Sequence, residues 1–299
     1  QTVLDFTREN EKEADRVGIK ILHKAGFDTR GTIDFFKTLQ RGSQYSIGAA
    51  PSFLRTHPIT SERISDIENR LAEYPYRQRL DDPSFHFVKA KIRVFLQDKK
   101  LIKKQLELNI KNKSYVNEIG ERYALTYAYL LNENFEDAER EMEWLKNKNI
   151  RNPMIDQLEI EILIKKGDMT DAYSSLKKAI KKYPNYRAFV YGLANYFIET
   201  KSANEAIKIL QSYIMTFKTD PELYKLLAKA YSLNGKKLLQ YESLAESFYY
   251  RYNLQEAIVQ MDMAVKSSDG NFYEKSRVES RLKQLQQEKE IYEISKANL

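Results

Sequence analysis

The hydrophobic residues of this chain recur at helical spacing along most of its length. Ala14, Val17, Ile21 and Ala25 follow one another at intervals of three or four, which predicts one helix over residues 3–25. Alternating β-branched residues, the signal for strands, are missing from the sequence. The pattern therefore predicts an all-α protein.

Two shorter helices are predicted before residue 75. The first covers residues 32–40, and its inward side chains are Ile33, Phe35, Phe36 and Leu39. Residues 41–52 contain two glycines, three serines and a proline, which favours a loop. Thr60 or Ser61 can cap the next helix, whose inward side chains are Ile64, Ile67 and Leu71.

Beyond residue 82 the chain repeats with a constant period. Ala138, Ala172 and Ala206 follow one another at this period, and a small residue at that place in the second helix of a pair is typical of tetratricopeptide repeats. In the first pair Lys104 stands at the alanine position. Each pair exposes an apolar face that only the next pair can cover, so the pairs are expected to stack into a right-handed superhelical solenoid. Helix pairs are predicted at residues 84–113, 119–149, 153–182, 187–217 and 221–250, with a sixth ending near 267 and a polar capping helix at 272–292.

Length and composition are consistent with this division. The 299 residues are enough for two domains, which we predict at residues 1–75 and 82–299. No apolar run approaches the ~18 residues that a transmembrane helix needs. The chain has no cysteine, which excludes disulfides and thiolate metal sites.

The charge gives no sign of a nucleic-acid partner. The net charge is +7, and it comes from lysine pairs such as Lys177-Lys178 that are interleaved with acidic residues. No long basic block or nucleic-acid-binding motif is present. The chain begins at Gln1 without an apolar leader, so we expect any targeting signal to lie outside it.

The candidate chemistry lies near the N-terminus. Glu11 and Asp15 are four residues apart, so on a helix their Cβ atoms are roughly 5–6 Å apart on one face. The small side chain of Ala14 leaves room beside them for another element. Such a pair can bind a metal and orient its other ligands, or can be two solvated acids on an ordinary helix. Spacing alone leaves both interpretations open.

Three motifs in order carry a family resemblance. They are residues 7–18 (TRENEKEADRVG), residues 25–28 (AGFD), and Thr56-His57-Pro58 followed by Arg63-Ile64. Together they resemble HtpX-like and CAAX-prenyl-protease-like zinc metallopeptidases, above all the periplasmic members with appended tetratricopeptide repeats. The resemblance covers residues 1–75.

The resemblance implies a role for each of four residues. Glu11 would complete a His-His-Glu zinc site, and Asp15 would accept a hydrogen bond from a ligand histidine. His57 would correspond to a loop histidine that can occupy the open zinc position and hold the protease off. Arg63 would pair with a carboxylate near the active site, and the sequence does not say which one.

The sequence departs from this family in one decisive respect. A working site needs His-Glu-x-x-His, with two histidines four residues apart and a glutamate base. The histidines of this chain are His23, His57 and His86, so the motif is missing. We therefore expect the chain to be the C-terminal portion of a metallopeptidase. The zinc would belong to the intact parent, and the chain alone should bind no zinc tightly and cleave no peptide.

The repeats predict a binding surface for protein. The residues that we expect to line the groove are Tyr123, Tyr127, Tyr191, Asn195 and Lys225. They would suit proteins or unfolded polypeptide, and the resemblance adds outer-membrane proteins, their assembly machinery and a periplasmic location. The alternative is a non-enzymatic repeat scaffold for protein–protein interaction, in which residues 1–75 are only a helical cap.

Overall fold

The structure is a computed structural model that describes residues 2–45, 57–77 and 81–297. Within those ranges every regular element is an α-helix, and there are fifteen of them. The all-α prediction is therefore confirmed. The chain divides into two compact units, residues 1–82 and residues 83–299.

The first unit contains three helices: α1 (Thr2–Lys24), α2 (Gly31–Tyr45) and α3 (Ser61–Leu71). Helix α1 ends within one residue of the predicted end, and Gly26, just beyond it, adopts a φ of 80° that favours glycine. The amide of Phe27 donates to the carbonyl of Leu22 at 3.0 Å, and that of Gly26 donates to the carbonyl of His23 at 3.0 Å. These two bonds form a Schellman motif, which satisfies carbonyls that the end of the helix would leave unpaired.

The core of this unit is small. Ile19 of α1 and Ile67 and Leu71 of α3 are buried together, and Ile33, Phe36 and Tyr74 pack against them. The predicted inward side chains of α3 are confirmed, since Ile64 is buried as well.

Helix α1 turns a different face inward from the one that its periodicity suggests. Ala14, Val17, Ile21 and Ala25 are all exposed, with Ile21 at 61% of its accessible surface. The buried side chain is Ile19, because α3 packs on that side of the helix. A helix with apolar residues on two sides has a choice of faces, and only the packing partner decides between them.

Two expectations for α2 are also corrected. Phe35 is 58% exposed instead of buried, because the core lies on the side of Ile33 and Phe36. The helix continues to Tyr45, so residues 41–45 of the predicted loop are helical. The rest of that loop, residues 46–52, lies outside the described residues, as does Thr56.

The second unit is a series of twelve helices. They are α4 (Pro83–Phe95), α5 (Lys99–Asn112), α6 (Glu118–Leu131), α7 (Phe135–Lys146), α8 (Pro153–Lys166), α9 (Met169–Lys182), α10 (Ala188–Glu199), α11 (Ala203–Thr216), α12 (Pro221–Leu233), α13 (Lys237–Tyr249), α14 (Leu254–Val265) and α15 (Phe272–Ala297). Each helix packs against its neighbours in sequence, as a solenoid requires. The predicted repeat solenoid is confirmed.

The small residues of the repeat pattern lie where helices cross. Ala138, Ala172, Ala206 and Ala257 have no exposed surface. A larger side chain at these positions would hold the helices of a pair apart, because core space is filled to near-crystalline density. The repeat is therefore a packing constraint that can be read from the sequence.

The turn within each pair repeats with the same period. Glu133, Gly167, Lys201 and Gly235 occupy equivalent positions in successive pairs, and their φ values are 60°, 89°, 57° and 69°. Each ends the first helix of its pair with a Schellman motif, for example through the amide of Asp168, which donates to the carbonyl of Leu163 at 2.9 Å. Only two of the four positions carry glycine, the residue that this conformation suits best.

The first pair does not follow the predicted register. Ile102 and Leu106 are fully buried in α5, whereas Lys104 is exposed. The inward position thus lies two residues before the predicted one, which keeps the lysine in solvent and the core apolar.

The last helix closes the array with charged pairs. Arg277 and Arg281 of α15 each make a two-pronged pair with α13, to Glu242 and Glu246 respectively. Val278 of α15 is buried below them. The predicted polar capping helix is present and extends beyond the predicted end, to position 297. Among the helices described here, none has the length and apolar character that a membrane crossing needs.

Two substitutions at the left-handed turn positions should change stability in opposite directions. Lys201→Gly should stabilise the array by about 1 kcal/mol, because a non-glycine residue in the left-handed region is strained. Gly167→Ala should destabilise it by a similar amount, about 1 kcal/mol, through strain alone, since nothing lies within 4 Å of the added Cβ. Urea unfolding followed by circular dichroism measures both changes.

Lys201→Ala is the control for this pair of variants. It removes the lysine side chain but keeps a residue with a Cβ in the left-handed conformation, so it should give little of the gain. If Lys201→Ala stabilises as much as Lys201→Gly, then the backbone conformation is not the cause.

Candidate functional site

Helices α1 and α3 bring four polar side chains together. Glu11 and Asp15 lie one turn apart on α1, and Arg63 lies in the first turn of α3. Thr60 fixes that turn, because its hydroxyl accepts a hydrogen bond from the amide of Arg63 at 3.2 Å. His57 reaches the same place from the segment before α3.

Arg63 joins the two carboxylates. Its Nε and Nη2 donate to the two oxygens of Asp15, each at 2.8 Å, and its Nη1 lies 2.8 Å from Oε2 of Glu11. The side chains of Arg63, Asp15 and Glu11 are only 10%, 8% and 16% exposed. A guanidinium can do this because its donors form a planar fork, which a lysine ammonium cannot reproduce.

The same arginine contacts the rest of the unit. Nη1 also donates to the carbonyl of Pro58 at 3.1 Å, and the guanidinium lies over the ring of Phe36 of α2, 5.2 Å from its centre. Hydrogen bonding to Asp15 raises the pKa of Arg63 above its ordinary value, although burial acts in the opposite direction. The cation therefore stays charged and holds α1, α2 and the residues before α3 together.

His57 contacts the same glutamate. Its Nδ1 bonds to Oε1 of Glu11, so the two oxygens of Glu11 are divided between His57 and Arg63. The His57 side chain is 60% exposed, in contrast with the three buried partners. One side of this cluster is thus fixed and the other is open to solvent.

The cluster supplies part of a metal site. A carboxylate oxygen from Glu11 and an imidazole nitrogen from His57 are donors that zinc accepts, but a catalytic zinc usually has three protein ligands. In the described parts of the chain, no group of three or more potential ligands is close enough to hold a metal ion. These residues on their own therefore fit only part of a zinc coordination shell.

The partner of Asp15 is the feature that sequence reasoning missed. Both of its oxygens bond to Arg63, where the resemblance implies a ligand histidine. Arg63 lies 48 residues away in sequence, and no local pattern identifies its partner. The expectation that Arg63 pairs with a carboxylate did not name the partner, and in the structure Arg63 contacts both Asp15 and Glu11.

Two of the five predicted groove residues prove to be core residues. Tyr123 and Tyr127 are 1% and 4% exposed. Tyr123 packs against Phe87 of the preceding pair, with ring centres 4.7 Å apart. The correction follows from repeat packing, since a large side chain on a first helix can fill the space toward the previous pair instead of lining the groove.

The other three predicted groove residues are partly accessible. Tyr191 and Asn195 on α10 are half-buried, and the hydroxyl of Tyr191 donates to Asp220. Lys225 on α12 is half-buried and pairs with Glu222 at 3.2 Å. Tyr191 and Lys225 can therefore contact a ligand only by sharing or exchanging the partners that they already have.

A polar cluster around Glu161 was not anticipated. Glu161 accepts hydrogen bonds from Tyr127 and from the amide of Gln157 at 2.8 Å, and Lys91 lies 3.6 Å from it. Burial and the nearby charge of Glu161 raise the pKa of Tyr127, so its hydroxyl stays protonated and acts as a donor. Tyr127 and Glu161 are 34 residues apart, which is one repeat period. They therefore occupy equivalent positions in neighbouring repeats, and an alignment of the repeats could have indicated the contact.

Two family profiles match separate parts of the chain, one in each compact unit. The profile of Peptidase family M48 matches residues 1–71, and a tetratricopeptide-repeat profile matches residues 163–230. The four clustered side chains all fall within the peptidase match.

Individual proteins are similar over nearly the whole chain. A beta-barrel assembly-enhancing protease of Yersinia pestis is 25% identical over 95% of this chain, and one from Escherichia coli K12 is 24% identical over 98%. The chain spans only 59% and 60% of the length of these two relatives. A solved MamA structure from Desulfovibrio magneticus RS-1, 16% identical, covers 58% of this chain and is itself covered to 98%, with a TM-score of 0.40.

The buried position of Arg63 gives a stability prediction. Arg63→Met should destabilise the packing of α1 on α3 by about 2–4 kcal/mol, because it leaves the Asp15 carboxylate buried without a partner. Hydrogen exchange of the amides in α1 and α3 measures this loss locally.

Arg70→Met is the matched control on the same helix. Arg70 pairs with Asp66 at 2.7 Å one turn away, but both side chains are about a third exposed. Its loss should cost no more than about 0.5 kcal/mol. Equal protection losses in the two variants would contradict the special role of Arg63.

Proposed function

We propose that this chain supplies one part of a zinc-dependent endopeptidase site and an array of repeats that holds substrate or partner proteins. Glu11 is the proposed zinc ligand, and Asp15 and Arg63 position it. The remaining ligands would come from a His-Glu-x-x-His segment that this sequence does not contain. The longer protein would assist the assembly of β-barrel proteins, as the names of its relatives state, and the family resemblance adds quality control of outer-membrane proteins in the periplasm.

The convergence around Glu11 carries this proposal. His57 and Arg63 meet one carboxylate from a segment that is distant from it in sequence. Buried charge is costly unless it is paired, so two acids and one arginine in so small a unit need a reason beyond stability. A metal-dependent site supplies one, and the matched peptidase profile covers the same residues.

An exposed apolar face lies beside these acids. Ala14, Val17 and Ile21 form a stripe on α1 that no described residue covers well, since Val17 is 41% and Ile21 61% exposed. We propose that the helix with the two histidine ligands packs on this stripe. Small and branched side chains permit close approach, which would place the histidines next to Glu11.

The two donors would then have different roles. Zinc with an open coordination position lowers the pKa of a bound water and polarises a carbonyl group. Glu11, held by Arg63, would be a constant ligand, whereas the exposed His57 would compete with water for the open position and restrain activity. Asp15 would keep Arg63 charged and in place.

The repeats would hold the polypeptide that is cleaved or assembled. Tyr191, Asn195 and Lys225 are the proposed contacts, since their side chains keep some access to solvent. Tyrosine adds a large contact area with a polar tip at low entropic cost, which suits recognition of varied chains.

A non-enzymatic scaffold is the competing function, and one observation favours it. Arg63 bonds to both oxygens of Asp15 and to one oxygen of Glu11, and His57 bonds to the other, so the cluster can also act as a structural ion network. In that case the first unit would have only a structural role beside the repeats.

Zinc content separates the two functions. In a protein that joins this chain to its His-Glu-x-x-His segment, Glu11→Gln should lose stoichiometric zinc and cleavage of an unfolded substrate such as casein. Glu62→Gln is the control, because Glu62 pairs with Lys12 across the same two helices at 2.6 Å but is exposed. This chain alone should bind zinc no more tightly than about 1 µM by calorimetry, since too few ligands are present. Tight stoichiometric zinc on this chain, or unchanged zinc in Glu11→Gln, would contradict the proposal.

The role of His57 has its own test. In the same longer protein, His57→Ala should raise the rate of casein cleavage while zinc content stays constant, because the open position becomes available to water. A rate that is unchanged or lower would show that His57 does not restrain the site.

A further inference from the structure

The first helix of the array exposes an apolar stripe. Its members lie on one side of α4, and their exposed fractions are 45–80%: Phe85, Val88, Ile92, Phe95 and Leu96. The opposite side of α4, with Phe87, Ala90 and Val94, is buried. Helix α4 is therefore apolar on two sides, which is typical of a helix that lies between two neighbours.

The next repeat shows what this face does elsewhere in the molecule. Buried residues of the first pair recur at equivalent positions of the second, as Phe87 and Tyr123 illustrate. By that register Val88 and Ile92 correspond to Ala124 and Ala128 of α6, which have no exposed surface.

The matching face of α6 meets the preceding pair. Glu121, which corresponds to Phe85, is bound by Arg93 of α4 at 2.7 Å and by Asn109 of α5 at 2.7 Å. In α6 this face is covered by helices α4 and α5. In α4 the equivalent face is exposed. At the other end of the array, α15 provides a polar cap, and solenoids need such caps at their ends.

The positive net charge of the chain is concentrated in this helix pair. Residues 83–113 contain nine Lys and Arg but only two Asp and Glu, a net charge of +7 that equals the net charge of the whole chain. The remaining residues are therefore neutral overall. Among the described residues, only two of these nine cations have a carboxylate partner, Lys91 with Glu161 and Arg93 with Glu121.

The two acids of the pair offset only part of this charge. Asp98 accepts hydrogen bonds from the amides of Leu101 and Lys100 at the start of α5, and these bonds together with the charges of Lys100 and Lys99 lower its pKa. Glu107 interacts with Tyr129 of α6. Among the described residues, the exposed Lys89 and Lys104 have no carboxylate partner.

We propose that the α4–α5 end of the array is a docking surface for an amphipathic helix of a partner protein, with acidic residues flanking its apolar stripe. Helix-on-helix stacking is how this face is used in the next repeat, and the cations select acidic flanks. An anionic membrane would also satisfy the charge, but the match to a helix-packing face favours a protein helix. This inference does not depend on the proposed peptidase function.

Labelled model peptides test the proposal on the complete chain. Two helical peptides share one leucine–alanine stripe, and their flanking residues are glutamate in one and lysine in the other. The glutamate peptide should bind at least about tenfold more tightly by fluorescence anisotropy, because unlike charges attract and like charges repel. Its affinity should fall several-fold from about 50 to about 500 mM salt.

Paired variants locate the binding. Val88→Ser/Ile92→Ser should weaken binding of the glutamate peptide by about tenfold or more, since it removes the central apolar contacts. Val259→Ser/Met263→Ser is the control: these residues have the same spacing on α14 and are 41% and 38% exposed. It should leave the affinity unchanged. Circular dichroism checks that both variants keep their helices.

Four outcomes would overturn the proposal. They are no saturable binding of the glutamate peptide, equal binding of the two peptides, equal losses in the two double variants, or binding only to vesicles that contain phosphatidylglycerol. The last result would assign the surface to a membrane instead.

Discussion

A single buried guanidinium organises the candidate site. Arg63 takes both oxygens of Asp15 and one of Glu11, and it also meets Pro58 and the ring of Phe36. Few apolar side chains are buried in this unit, and removal of Arg63 would leave carboxylates unpaired at a high cost, so the positions of its helices depend on this pairing. An arginine stays charged at all ordinary pH values, so the cation at the centre of this network is permanent. The site and the stability of the unit are therefore coupled through one residue.

The repeats are stabilised by different contacts. Their helices are held by small residues at crossings and, in the four pairs from α6 to α13, by left-handed turns between the two helices, so each pair depends mainly on its neighbours. In such an array the two ends differ from the middle, because each end has one face without a neighbour. The C-terminal end is closed by α15 and its arginine pairs, whereas the N-terminal end presents an apolar stripe among lysines.

Both units thus carry an exposed apolar face next to charge. On α1 the stripe of Ala14, Val17 and Ile21 adjoins two acids, and on α4 the stripe around Ile92 adjoins unpaired lysines. Under the two proposals above, the opposite signs of charge would lead the two faces to bind different partners: histidines and a metal beside α1, and an acidic helix beside α4. An enzyme part and a recruitment part could then be assembled on one chain without competing for the same ligand.

The sequence by itself determined the helical class and the period of the repeats, because both follow from local spacing, whereas the residues of the candidate site were indicated by short motifs that resemble a known family. Tertiary structure decided which face of a helix is buried. Ile19 instead of Val17 enters the core, Ile102 instead of Lys104 faces inward, and Tyr123 and Tyr127 fill space between repeats instead of lining a groove. It also decided that Arg63 binds both Glu11 and Asp15, a contact between distant segments that no periodicity encodes. Local patterns show which faces of a helix are apolar or charged. Which of these faces becomes buried depends on the helix that packs against it, because burial and ion pairing are contacts between segments that are distant in sequence.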